Sequence, residues 1–326
     1  MIISRTPLRI SLFGGGSDFP EYFRKYGGAV IGTAIDKYVY HSIMRFPSKL
    51  FDYKVRLAYS KVECVKNLQE ITHAPFRESL KYMGVKQDVE ISISSDLPSF
   101  TGLGSSSSFT VGLLNALAAF QHKHRTRKQL ASEAINLERN ILREAVGCQD
   151  QVFAAFGGIC RIDFHSDREF DVEKIVLSPK RLSELKKSLM LVYTGIKRRA
   201  YEIERRKIKN VELISDFLKA IHNQVDVAHK IIVRNGNLSD LGELLHHSWC
   251  KKRNLDEGVS NPFIDELYDS ARKAGALGGK LLGAGGGGFM LLFVPPKLKT
   301  SIKLALSKFP EVTFCINAPG SMIIHS

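Results

Sequence analysis

The 326-residue sequence predicts an α+β fold built from two domains. Two patterns carry that expectation. Strand-like and helix-like runs are mixed along the chain without strict alternation, which disfavours a doubly wound parallel sheet. Helices then dominate from near Pro179 onward, which places a division between residues 1–180 and 181–326.

The elements follow in order. Ile2–Phe13 mixes β-branched and aromatic residues and runs into Gly14-Gly15-Gly16, a strand followed by a tight turn. Residues 29–44 are strand-like too, with an apolar run through Val39. Residues 89–94, VEISIS, alternate apolar and polar, the period of a half-buried strand. At Ser105 the period changes: Phe109, Leu113, Leu114, Leu117, Ala118 and Phe120 follow helical spacing. A second helix is expected over 127–144, with Leu130, Ala134, Leu137 and Ile141 on one face. Leu189–Tyr193 reads as a short apolar strand, 198–233 as a long charged helix and 238–249 as another helix. Asn261-Pro262 starts a further helix: Asn as N-cap, Pro in the first turn and Gly275 past the end. Residues 280–294 are a Gly-rich turn entering an apolar strand. Pro295-Pro296 breaks it, 297–309 are helical and 321–325 close as a strand.

Lysine and arginine outnumber aspartate and glutamate 47 to 33, a net charge of +14. That balance favours anionic partners: nucleic acid, acidic membrane or phosphorylated small molecules. Five cysteines, none spaced C-x-x-C, point away from a disulfide framework and a structural zinc site. The N-terminus lacks the long apolar core and cleavage site of a signal peptide, and the longest apolar runs fall short of a membrane span. A cytoplasmic chain is expected.

Three glycine-rich segments stand out. The central one, PSFTGLGSSSS (98–108), follows a strand and opens an apolar helix. Its glycines let the backbone approach a ligand, the helix start presents N–H groups and a positive dipole end, and the serines add hydroxyls. Together these make a phosphate cradle. It lacks the Gly-Lys-Ser/Thr ending of a Walker A loop, and a serine-capped helix entered through a loose loop is the simpler reading of this segment alone. The C-terminal segment, GGKLLGAGGGG (278–288), holds four consecutive glycines before a buried strand, which points to close approach of backbone to a ligand or another chain segment. The N-terminal segment sets Arg9 and Asp18 around Gly14, Gly15 and Gly16; a turn with a solvated Asp reads as well from these residues alone.

Taken together, the three segments resemble the GHMP small-molecule kinases, the superfamily of galacto-, homoserine, mevalonate and phosphomevalonate kinases. Its motifs P-x-R, P-x-x-x-G-L-G-S-S and G-x-G-G/A-G occur here in order, and the resemblance spans essentially the whole chain. Four stretches narrow it to the D-glycero-D-manno-heptose 7-phosphate kinases: RTPLRISLFGGGSDFPEYF, GLGSSSSFTVGLLNAL, the span from Leu137-Glu138-Arg139-Asn140 to Gly147-Cys148-Gln149-Asp150-Gln151, and SNPFIDELYDSARKAGALGGKLLGAGGGGFMLLF. The resemblance implies a ribosomal S5 domain 2-like N-terminal part and a ferredoxin-like C-terminal part, with ATP and Mg²⁺ bound between them. The implied reaction phosphorylates the anomeric hydroxyl of the heptose 7-phosphate to the 1,7-bisphosphate, on the way to nucleotide-activated heptose.

The resemblance also assigns roles. Gly102, Leu103, Gly104, Ser105, Ser106 and Ser107 match the phosphate loop. Ser106, with Ser105 next, and Glu138 match the Mg²⁺ ligands. Asp150 matches the catalytic aspartate and Arg9 the arginine beside it. Asp18, with Gly15 and Gly16, matches the sugar-reading motif. Gly283, Gly285, Gly286 and Gly287 would support the phosphate loop and leave room for substrate. A phosphorylated sugar needs a second anion site, for which Lys280 and Arg198 rank first, each near a glycine at the end of an expected element.

Two other readings compete. One is a fucokinase-type or other GHMP kinase acting on an unphosphorylated sugar. The other is a basic RNA-binding module, suggested by residues 197–209, KRRAYEIERRKIK. Glu202 and Glu204 interrupt that run and no aromatic-interleaved patch accompanies it, so no nucleic-acid or membrane partner is expected. A monomer and a homodimer both fit the sequence.

Overall fold

The computed structural model describes residues 1–326 apart from 166–168, 197–203, 207, 209 and 235. Two sheets organise the chain. The larger has eight strands, ordered β12-β1-β2-β5-β3-β4, with β6 on β2 and β7 on β6. Its strands are β1 (Ile2–Phe13), β2 (Gly28–Arg45), β3 (Val55–Ala58), β4 (Val62–Val65), β5 (Val89–Ser95), β6 (Ile159–Phe164), β7 (Phe170–Lys174) and β12 (Met322–His325). The smaller has four strands, β8 (Leu189–Tyr193), β9 (Gly278–Leu281), β10 (Phe289–Phe293) and β11 (Glu311–Val312), in the order β11-β8-β10-β9. All its pairs are antiparallel. Numbered within this unit the order is 4-1-3-2, the arrangement of a ferredoxin-like β-α-β-β-α-β unit.

Helices α1 (Pro20–Tyr26), α2 (Ala74–Met83), α3 (Ser105–Phe120), α4 (Arg127–Asn136) and α5 (Gln149–Phe156) belong to the first half. Helices α6 (Pro179–Ser188), α7 (Ser215–Val233), α8 (Ser239–Arg253), α9 (Pro262–Lys273) and α10 (Lys299–Ala305) belong to the second. A mixed α+β architecture therefore stands as expected.

Strand periodicity explains the layering. In β10, Phe289, Leu291 and Phe293 face one core with Leu189 and Leu191 of β8, while Met290 and Leu292 face another with Met190 and Val192. Both faces of the small sheet are covered, so its strands read as continuous apolar runs. The shared core also takes Leu8, Ile10 and Leu12 of β1 with Val225 and Ala228 of α7, which locks the two halves together. On its other face the large sheet packs against α3 and α5 through Val111, Leu114, Val152 and Phe153.

Two expectations needed correction. The helix over 127–144 stops at Asn136 and continues as a π-turn, Leu137–Ile141, closed by Leu142 N–H to Leu137 O at 2.8 Å. That wider turn breaks the 3.6 period, so Leu137 is buried and Ile141 exposed rather than sharing a face. The helix over 198–233 is α7 only from Ser215, after a turn at 210–214; residues 198–203, 207 and 209 of that stretch lie outside the described residues. The last strand, β12, returns to the first sheet and pairs with β1.

Candidate active site

A cavity of about 780 Å³ opens where the start of α3, the start of α5 and the end of β9 converge. Strand β1 supplies Arg9, whose side chain is buried. Its Nε and Nη2 donate to the two carboxylate oxygens of Asp150 at 2.8 and 2.7 Å, and its Nη1 donates to Gly102 O at 2.6 Å. The Arg9 backbone N–H also donates to Leu103 O at 3.0 Å. One residue thus ties the central loop to the sheet by its backbone and to Asp150 by its fork, the bidentate geometry that favours arginine over lysine.

The central loop ends in Gly104 at φ +73°, a left-handed conformation that glycine adopts without strain. A Cβ there would lie 3.2 Å from both Arg9 Cγ and Asp150 Oδ2. Gly104 is the N-cap of α3, and no side chain caps the helix. The first N–H groups of α3 therefore carry no side-chain cap from a serine. Ser105 and Ser106 line the cavity with Gly102 and Gly104.

Asp150 is the second residue of α5, its side chain 24% exposed and facing the cavity. Asp18 is buried beside it, accepting from Gly16 N–H at 2.8 Å and from Gln149 N–H at 3.3 Å. Burial pushes the Asp18 carboxyl up, the Gly16 N–H pulls it down, and the charge of Asp150 adds to the rise. Gly15 and Gly16 line the same wall.

Glu138 sits in the π-turn, fully buried. Its Oε2 accepts from Ser107 Oγ at 2.9 Å and from Gln151 Nε2, while Oε1 has no partner among the described residues. Burial pushes its carboxyl up to about 8. Glu144, half-buried and lining the cavity, is raised by burial too.

Comparison with known proteins places this arrangement. The family models described as "GHMP kinases N terminal domain" and "GHMP kinases C terminal" match residues 61–158 and 227–312. The chain is 32% identical to the D-glycero-alpha-D-manno-heptose 7-phosphate kinase of Campylobacter jejuni, over 94% of this chain and 93% of that one. The chain belongs to the GHMP kinases. A mevalonate kinase of Pyrococcus abyssi is 26% identical over 94% and 93% of the two chains. Among solved structures, a D-glycero-D-manno-heptose 1-phosphate kinase from Bacteroides thetaiotaomicron superposes with a TM-score of 0.82 at 22% identity, covering 100% of each chain. A sugar kinase from Campylobacter jejuni gives 0.72 at 26% identity, over 99% and 98%. The protein is thus a phosphotransferase, and its family uses ATP as donor.

The structure brings together Arg9, Asp18, Asp150, Gly15, Gly16, Gly102, Gly104, Ser105, Ser106, Ser107 and Lys280 around one cavity. Leu103 is buried behind it and serves through its carbonyl. Arg198 lies outside the described residues. Gly285 and Gly286 do not line the cavity: Gly286 N–H donates to Val259 O at 2.9 Å, and a Cβ on Gly285 would lie 2.6 Å from Val259 Cα. Gly283 is the member that reaches the central loop, where a Cβ would lie 2.7 Å from Gly102 Cα. Of the serines, it is Ser107, not Ser106, whose hydroxyl meets Glu138.

Glu144, in the cavity wall, escaped the sequence reading. It follows the π-turn, whose added residue no periodicity reveals. Lys252, one of the basic residues that could serve a second anion site, is buried, with Nζ donating to Leu281 O at 2.9 Å and Gly283 O at 2.6 Å. Its signal was the α8 pattern, which places it on the face of Leu245 and Trp249.

The donor set also suits a hard cation in part. A buried carboxylate with one oxygen unpartnered, a serine hydroxyl beside it and Glu144 nearby are oxygen ligands of the kind Mg²⁺ takes. Among the described residues no group of three or more acidic, His or Cys side chains could hold a metal alone. Such a site would be completed by nucleotide phosphates and water, as Mg²⁺ sites commonly are.

Proposed function

We propose that this kinase transfers the γ-phosphoryl group of ATP to the anomeric hydroxyl of D-glycero-D-manno-heptose 7-phosphate, giving the 1,7-bisphosphate, in the cytoplasm. The observation that carries the reading is the bidentate Arg9–Asp150 pair set directly beneath the uncapped start of α3. A proton-accepting group and a phosphate cradle there share one cavity, which is what phosphoryl transfer requires of a protein.

The roles follow from the geometry. Backbone N–H groups at Ser105, Ser106 and Ser107 would hold the nucleotide phosphates. Two acceptor positions of Asp150 are taken by Arg9, and the carboxylate's remaining lone pairs face the cavity to receive the sugar hydroxyl's hydrogen. The bond from sugar oxygen to γ-phosphorus forms as the bond to the ADP oxygen breaks. Asp18, anchored by Gly16 and Gln149, would read sugar hydroxyls. Glu138 and Ser107 would hold Mg²⁺, whose charge neutralises the phosphates when bound.

Two buried ammonium groups, Lys252 and Lys280, line the cavity, which favours an acceptor that already carries a phosphate. The similarity to the Campylobacter jejuni 7-phosphate kinase supports the same choice. Phosphorus NMR of the product made from heptose 7-phosphate and Mg·ATP tests the reading. A new resonance coupled to the anomeric proton supports it, and a product phosphorylated elsewhere on the sugar overturns it.

A further inference from the structure

A second concavity, of about 380 Å³, lies at the outer edge of the small sheet and shares no lining residue with the catalytic cavity. Leu189, Met190 and Leu191 of β8 line it, together with Phe314. Lysines reach it from three separate segments. Lys37 comes from the irregularity in β2, where the register with β1 skips from Tyr38 to Ile35. Lys186 and Lys187 come from the last turn of α6, and Lys299 begins α10.

Two carboxylates, Asp36 and Glu311, line it against four lysines. Asp36 accepts from the Cys315 backbone N–H at 2.6 Å, and Glu311 pairs at 3.2 Å with Lys303, which is outside the concavity. Lys299 Nζ donates to the neutral Leu189 O at 2.9 Å, and Lys186 lies against the Cys315 thiol. Among the described residues no carboxylate forms an ion pair with Lys37 or Lys187. The α6 dipole accounts for lysines at that helix end. It does not account for Lys37 and Lys299 converging on the same place from other segments.

Cations gathered in a concave, partly apolar wall focus a positive potential and attract an anion. Lysine ammonium groups bind phosphoryl oxygens as point charges. The volume lies within the ordinary range of small-molecule sites. We propose that this concavity binds a phosphorylated small molecule, with Lys37, Lys187 and Lys299 around the phosphoryl oxygens and Phe314 against the remainder. The site goes beyond the kinase reaction and does not rest on the choice of sugar. It lies across the small sheet from β9, the strand that carries Lys280.

Cys315, a partly exposed free thiol in the wall, reports occupancy. The full-length protein is alkylated with iodoacetamide, and each cysteine is followed by mass spectrometry, in inorganic phosphate and in sodium chloride of matched ionic strength. The Cys315 rate should fall by the factor 1 + [L]/Kd, about threefold at twice the dissociation constant, while exposed Cys64 is unaffected. The double variant Lys37→Ala/Lys187→Ala should lose this protection and keep its kcat and its KM for ATP. A Cys315 rate indifferent to phosphate, or protection undiminished in the double variant, overturns the proposal.

Discussion

Replacing Arg9 with lysine keeps the charge and removes the fork. The wild-type guanidinium makes two bonds to Asp150 at 2.8 and 2.7 Å and one to Gly102 O at 2.6 Å. An ammonium, as a point charge, can hold at most part of this set. Charge-assisted bonds contribute about 1.5–3 kcal/mol each. Asp150 is partly exposed, so solvent replaces some of the loss, and a destabilisation of about 2–4 kcal/mol is expected for the two bonds forfeited. The catalytic cost comes from placement. Asp150 and the central loop are held in mutual register by this one side chain, and a displacement of about 1 Å costs on the order of 10²-fold in rate. Denaturant unfolding and a coupled ADP-release assay measure the two effects together. An Arg9→Lys enzyme with wild-type stability and wild-type kcat would refute the claim that Arg9 joins Asp150 to the phosphate loop.

Other expectations follow from the same geometry. Glu138 is raised from 4.5 to about 8 by burial, so between those values the folded chain keeps a proton that the unfolded chain has lost. Without Mg²⁺ its contribution therefore makes stability fall as pH rises through that window, by up to about 1.4 kcal/mol per unit, and Glu138→Gln should flatten the slope in pH-dependent denaturation. Lys280→Met should raise KM for the sugar phosphate at least about tenfold while KM for ATP stays within about twofold, as steady-state kinetics would show. Gly104→Ala forces a side chain into φ +73° against Arg9 and Asp150; a loss of about 1–2 kcal/mol from the backbone alone, with a raised KM for ATP, is expected in thermal unfolding and kinetics.

Much of this was legible in the sequence because the signals are local. β1, β8 and β10 announce themselves by short apolar runs, and the change of period at Ser105 marks where α3 begins. Asp150 and Arg9 were found through motif resemblance, and their pairing required the fold, since 141 residues separate them. Other features depend on phase or on distant neighbours. Which of four consecutive serines meets Glu138 is set by the rotation of α3, about 100° per residue, and Ser107 rather than Ser106 has the right phase. The π-turn hides in a sequence whose apolar spacing reads as plain helix, and it alone carries Glu144 to the cavity. Gly285 looked like a substrate contact because close backbone approach is all a glycine reveals; the close neighbour is Val259. The burial of Lys252 depends on the carbonyls that meet it, Leu281 and Gly283, which no local signal shows.

The central claim is that Asp150 and the start of α3 form a kinase site for a phosphorylated sugar. An ADP-release assay with Mg·ATP tests it most directly, run on heptose 7-phosphate, free heptose, fucose, galactose and mevalonate, with Asp150→Ala alongside. The account predicts turnover on heptose 7-phosphate alone, abolished in the variant. Turnover on a free sugar or on mevalonate in place of heptose 7-phosphate, or an Asp150→Ala enzyme that works as well as the parent, would contradict it.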